Sequence, residues 1–109
     1  MQDIEILGGI IIPPSVASNP KLTAAQKLIV GLILALSDRN GICTTSNDTI
    51  AELAGLSVST LSHGVVPACK ILDIKITKPR MERLPKFLRQ FAIPESLIRE
   101  TAKYADSYN

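Results

Sequence analysis

The spacing of apolar positions divides this chain into short elements. Ile4–Ile12 is apolar and β-branched, is interrupted by Gly8-Gly9 and is stopped by Pro13-Pro14, so it reads as an extended lead-in. Asn19-Pro20 marks a turn, and Thr23 then stands where a helix cap is expected, opening a helix to about Ser37. At about 100° per residue, Leu28, Ile29, Leu32, Ile33 and Leu36 share one broad face, with Val30 and Leu34 on the other side. A helix apolar nearly all round must be covered from two directions. Asn40-Gly41 is a turn signal and Ile42-Cys43-Thr44 a short strand. Ser46 or Asn47 caps a short helix over Thr49–Ala54, ended by Gly55, and Ser57 caps the next. In that next helix Leu61, Val65, Ala68 and Leu72 share a face, and Ser59, Thr60, Ser62, His63 and Val66 lie outside it. Pro67 removes a backbone donor and crowds the preceding turn, which predicts a kink or an end near Val66. Ile74-Lys75-Ile76-Thr77 alternates as a half-buried strand does. A further strand is expected within 86–92, and Pro94 opens a last helix with Leu97, Ile98, Thr101 and Ala105 towards the core.

Residues 47–65 hold the strongest functional signal. A short helix with Ile50 and the small Ala51, a glycine in the turn, then Leu56 and Leu61 is helix-turn-helix spacing. Gly55 supplies the left-handed residue that the tight turn requires. The second helix of such a pair can enter a major groove with its N-terminal turn against base edges. Two helices joined by a glycine turn can also be mere packing. The strand, basic turn and second strand that follow favour a winged helix-turn-helix. The predicted fold is mainly α with a small β-sheet, from about 42–44, 73–78 and 86–92. It is one domain over 1–109: lead-in 1–21, helical core 22–74 with the helix-turn-helix at 47–66, basic wing 75–93, and C-terminal helix 94–109.

Charge sharpens that reading. The chain has 109 residues with net charge +2, but residues 75–89 alone hold six basic residues (Lys75, Lys78, Arg80, Arg83, Lys86, Arg89) against Glu82. Concentrated positive charge points to a polyanionic partner better than the total does. A solvated face is the plainer explanation of any basic stretch; the position where a wing belongs argues against it here. Phe87 and Phe91, the aromatics nearby, are expected in the core rather than as stacking platforms.

The segments Ile12-Pro13, Leu22-Thr23, Lys27-Leu28, Ala35-Leu36, Gly41-Ile42-Cys43, Ser46-Asn47, Ala51-Glu52, Gly55-Leu56-Ser57 and Thr60-Leu61-Ser62 together resemble a known family. It is the winged-helix domain at the N-terminus of phage and plasmid replication initiators and replisome organisers. The resemblance covers roughly residues 10–76. It implies duplex DNA binding, with the helix after Ser57 as reader and residues 75–89 as wing. The candidate DNA contacts are then Ser46, Asn47, Ser57, Ser59, Thr60, Ser62 and His63 with Lys75, Lys78, Arg80 and Arg83. Where that family carries Arg or Lys on the reading helix, this chain has His63, Val66 and Pro67, so readout from this helix falls to hydroxyls and one imidazole.

Other chemistry finds little support. His63 is the sole histidine, and Cys43 and Cys69 lack the paired spacing of a zinc site, which leaves them as small core thiols. Asp48 and Glu52 share a helix face but have no acid/base partner, and Gly8-Gly9 is no phosphate loop. No catalytic site, metal, cofactor or small-molecule ligand is expected. The longest apolar run, Leu28–Leu36, is far short of the roughly 20 residues of a membrane span. With an acidic N-terminal Met-Gln-Asp-Ile-Glu and two cysteines, a cytoplasmic protein is expected.

Weak monomeric readers gain from pairing, so a homodimer is predicted, with Val30, Leu34, Leu97 and Ile98 as candidate interface. The equally available arrangement has the C-terminal helix folding back over Val30 and Leu34 in its own chain. Replication proteins are further candidate partners. Transcription regulation is an alternative role, and a winged-helix module that docks a protein instead of DNA is another, favoured by an exposed Val66 and opposed by the basic wing.

Overall fold

The computed structural model describes residues 10–77 and 90–108. Its elements run α1 (Pro14–Ala17), α2 (Ala24–Ala35), β1 (Ile42–Cys43), α3 (Asn47–Ala54), α4 (Val58–Leu72), β2 (Lys75–Thr77), β3 (Gln90–Ala92) and α5 (Glu95–Tyr108). This is the mostly helical chain with a small antiparallel sheet expected of a winged helix-turn-helix with a C-terminal helix. The lead-in residues 1–9 and the residues 78–89, with Lys78, Arg80, Arg83 and Phe87, lie outside the described residues, as does the side chain of Ala105.

The lead-in is not extended throughout. Pro14 opens the single turn α1, because proline's fixed φ suits the first helical position and its missing N–H is not needed there. Thr23 caps α2 as expected: it accepts from the Gln26 N–H at 3.1 Å, while the Gln26 side chain accepts from the Thr23 N–H at 2.8 Å. Gly31 interrupts this apolar helix for a tertiary reason. A Cβ there would meet Ile12 Cγ1 at 3.0 Å and Ile10 Cγ2 at 3.3 Å, so the lead-in seats directly on the helix backbone.

Val30 and Leu34 are 0% and 7% exposed within the single chain, and Leu97 is 6% exposed. They are core positions, not a surface offered to a second copy, which corrects the expected interface. Helix α5 folds back in its own chain. Its Glu100 carboxylate accepts from the Ser15 N–H at 3.1 Å and from the Ser15 hydroxyl. Its half-buried Ile98 stands so close to Gly41 that any side chain there would collide with Ile98 Cδ1. Gly41 also needs its φ of 77°.

The sheet has the order β1-β3-β2, antiparallel throughout. Phe91 on the central strand lies opposite Cys43 on one side and Ile76 on the other, and is fully buried. The register Lys75↔Ala92 and Thr77↔Gln90 makes residues 78–89 the connection between β2 and β3.

Pro67 does not end the reading helix; α4 continues to Leu72. Leu61 and Val65 before the proline, and Ala68 and Cys69 after it, are all buried on one face, while Pro67 itself is exposed. Burial of large apolar side chains, at about 1.5–3 kcal/mol each, outweighs the roughly 3 kcal/mol that an interior proline takes from a helix. Val66 is half-buried against the core rather than exposed, and Leu72 likewise.

The helix closes on Asp73 in the left-handed region, φ 59°, the one described non-glycine residue with positive φ. Glycine is free of the roughly 1–2 kcal/mol that an L-residue loses there. Asp73→Gly is therefore expected to raise stability by about 1 kcal/mol, read as a higher urea midpoint with unchanged slope.

Candidate nucleic-acid interface

The helix-turn-helix is built from two serine caps and one glycine. Ser46 accepts from the Thr49 N–H at 3.3 Å and so sets the start of α3, with the half-buried Asn47 as its first residue. At the other end Gly55 takes φ 72°, and the Leu56 N–H donates to the Ala51 carbonyl at 2.9 Å. No atom lies within 4 Å of a Cβ at Gly55, so backbone conformation alone calls for glycine there. Ser57 then caps α4, accepting from the Thr60 N–H at 3.1 Å and donating to the Thr60 hydroxyl at 2.8 Å.

These bonds sort the expected contact residues. Ser46, Ser57 and Thr60 are occupied in holding the caps. Ser59, Ser62 and His63 are exposed on the first two turns of α4, and among the described residues the Ser59 and Ser62 hydroxyls have no protein partner. The His63 Nδ1 lies 2.7 Å from the Ser59 carbonyl oxygen. Lys75 is exposed on the edge strand β2, at the head of the connection that carries Lys78, Arg80 and Arg83.

Two residues escaped the sequence reading. Val58, the first residue of α4, is 46% exposed and sets an apolar side chain beside the hydroxyls, a surface suited to a thymine methyl. Lys70 is exposed and stands seven residues after His63, hence on the same helix face about 10.5 Å further along. The reading helix thus carries a cation after all, beyond the point near Val66 where a kink or an end is expected. The i+7 spacing was the available signal.

The orientation of α4 is set by α2. The Gln26 amide, besides closing its own cap, donates to the Gly64 carbonyl at 3.1 Å. Gly64 has no side chain to hold the helices apart; a Cβ there would lie 3.5 Å from Ile29 Cδ1.

Residues 21–65 match a protein family described as a helix-turn-helix domain. The match and the fold agree on a helix-turn-helix. The match begins just before α2 and ends within α4, so it includes all of α3, the turn after it and the first half of α4. No curated protein and no solved structure matches the chain.

Among the described residues no helix is long and apolar enough to cross a membrane, and no three His, Cys, Asp or Glu side chains stand together as metal ligands. Both cysteines are buried. Burial pushes the Cys69 thiol up to about 12 from the ordinary 9.0, with the charge of Cys43 adding to it. Burial also raises Cys43, partly offset by hydrogen bonds from Thr45. Native protein at pH 8 is expected to resist iodoacetamide at both thiols and to label fully once unfolded. Because the unfolded chain ionises its thiols first, stability should fall as pH rises above about 9. A flat denaturation midpoint over that range would contradict this burial.

Proposed function

We propose that the protein binds double-stranded DNA, laying the first two turns of α4 in the major groove while Lys75 and the basic 78–89 connection follow the phosphates. The carrying observation is the polar, solvent-open start of α4, held at a fixed angle by the Ser57 cap and the Gln26–Gly64 bond within a helix-turn-helix domain. The hydroxyls, His63 and Val58 serve base contact, and the cations serve affinity. Lys70, on the same face, extends the contact surface beyond Pro67.

Fluorescence anisotropy on a mixed-sequence duplex tests this. Affinity should fall log-linearly with salt, with a slope of about −0.9 per phosphate neutralised. Lys70→Gln combined with Lys75→Gln should make that slope shallower by about two. Arg80→Ala with Arg83→Ala should weaken binding to all sequences alike; unchanged affinity would remove the wing role. Absence of binding at low salt would turn the reading towards a protein-docking module. In favour of that second reading, Ile71 is 38% exposed beside an open groove of about 430 Å³ between the end of α4 and α5.

The finer role in this reading is replication initiation of a phage or plasmid. It is supported by the resemblance of residues 10–76 to replication initiators. On that role, sites selected from random duplexes should recur at the origin of the replicon encoding the chain. A lone site ahead of a gene would favour transcription regulation. Pairing on half-sites, if the mass of the complex shows two copies, uses a surface other than the buried Val30 and Leu34.

A further inference from the structure

We propose that His63 selects a base with an exocyclic amine, adenine or cytosine, in the DNA bound by α4, and rejects guanine and thymine at that position. The inference rests on the DNA-binding reading above. The His63 Nδ1 lies 2.7 Å from the Ser59 carbonyl oxygen. A carbonyl oxygen only accepts, so the ring proton sits on Nδ1. In the neutral imidazole the other nitrogen, Nε2, then carries the lone pair and only accepts.

The same bond draws the ring back over the preceding turn, towards the end of α4 that a helix-turn-helix sets against base edges. The side chain is exposed, and among the described residues Nε2 has no protein partner. In the major groove adenine N6 and cytosine N4 donate, whereas guanine N7 and O6 and thymine O4 accept. An amine meets Nε2 with a hydrogen bond. A keto oxygen meets it lone pair to lone pair, with both groups stripped of water.

The neighbours on this surface do not supply the same choice. Ser59 and Ser62 hydroxyls both donate and accept, and so tolerate either kind of edge. Val58 offers only apolar contact. Lys70 only donates, and lies two turns away. His63 is thus the group on the first two turns with a one-way polarity, and that polarity is set by the backbone of its own helix.

The test uses the whole chain at pH 8. Selection from random duplexes with the wild-type protein and with His63→Ala identifies the position whose preference depends on His63. Each base pair carries one such amine, on its adenine or its cytosine, and that base is the one set against His63. Replacing that base by the analogue without the amine, purine for adenine or 2-pyrimidinone for cytosine, should weaken wild-type binding about fivefold, the ordinary worth of one hydrogen bond. The same replacement should leave His63→Ala unaffected. His63→Lys, which places a donor there, should move the preference to guanine. The inference is overturned if no position depends on His63, or if loss of the amine at that base pair weakens both proteins equally. A wild-type chain that binds no duplex overturns the DNA reading and this inference together. Binding indifferent to His63 overturns this inference alone. Circular dichroism of both variants checks that the exposed substitutions leave the helices intact.

Discussion

Phe91→Ala is expected to lower the stability of the domain by about 3–5 kcal/mol. Phe91 is fully buried and is the largest fully buried side chain among the described residues. It lies on the central strand, opposite Cys43 of β1 and Ile76 of β2, so one cavity would loosen both edges of the sheet. A domain of this size has about 5–15 kcal/mol in total, which puts the variant near the limit of folding. The measurement is a urea midpoint, with the slope checked for two-state behaviour. The half-buried Ile76 on the edge strand is the comparison, and Ile76→Ala should cost clearly less. A Phe91→Ala loss no larger than that of Ile76→Ala would mean that the sheet is not packed around β3. The consequence for function is direct, because β2 and β3 anchor both ends of the basic connection.

Pro67→Ala should act in the opposite direction and raise stability by about 2 kcal/mol. An interior proline takes roughly 3 kcal/mol from a helix, through its missing donor and the clash of its ring with the carbonyl four residues back. Here that carbonyl belongs to His63. Alanine restores the donor, and because Pro67 is exposed no packing is lost. The greater freedom of the unfolded alanine chain returns about 0.4–1 kcal/mol of the gain. Thermal unfolding should show a rise of several degrees. A fall in the midpoint would sink the account in which Pro67 is a local penalty overcome by the buried Leu61, Val65, Ala68 and Cys69.

The parts of this protein that could be read in advance obey short-range rules. Thr23, Ser46 and Ser57 each cap the helix that follows through the N–H three residues on; Thr23 and Ser57 are the expected caps, and Ser46 is one of two candidates, the other being Asn47. Gly55 could be placed because a left-handed residue is needed wherever two short helices meet in a tight turn. The strands were located by apolar runs and alternation, although only Gln90–Ala92 of the expected 86–92 segment is described as strand. The free hydroxyls of Ser59 and Ser62 and the imidazole of His63 follow from the same helical phase.

The misjudged features depend on partners far along the chain. Pro67 predicts a kink or an end near Val66 because the rule for proline is local, whereas the burial that carries the helix past it is not. Lys70 went unnoticed for the same reason, lying beyond that point. For Val30 and Leu34 a partner copy and cover within the same chain stay equally available, because sequence phase shows that a helix needs covering without showing what covers it. The Gln26–Gly64 bond spans 38 residues and the Ser15–Glu100 bond 85. By itself, then, the sequence determined the caps that open α2 and α4, which faces are apolar, and that a helix-turn-helix lies within 47–66. Only the tertiary structure decided how far the reading helix extends, which of its side chains remain open, and that the apolar face of α2 closes within one chain. Caps and turns draw their energy from residues three or four apart, which a linear pattern records; burial draws it from side chains brought together by the fold.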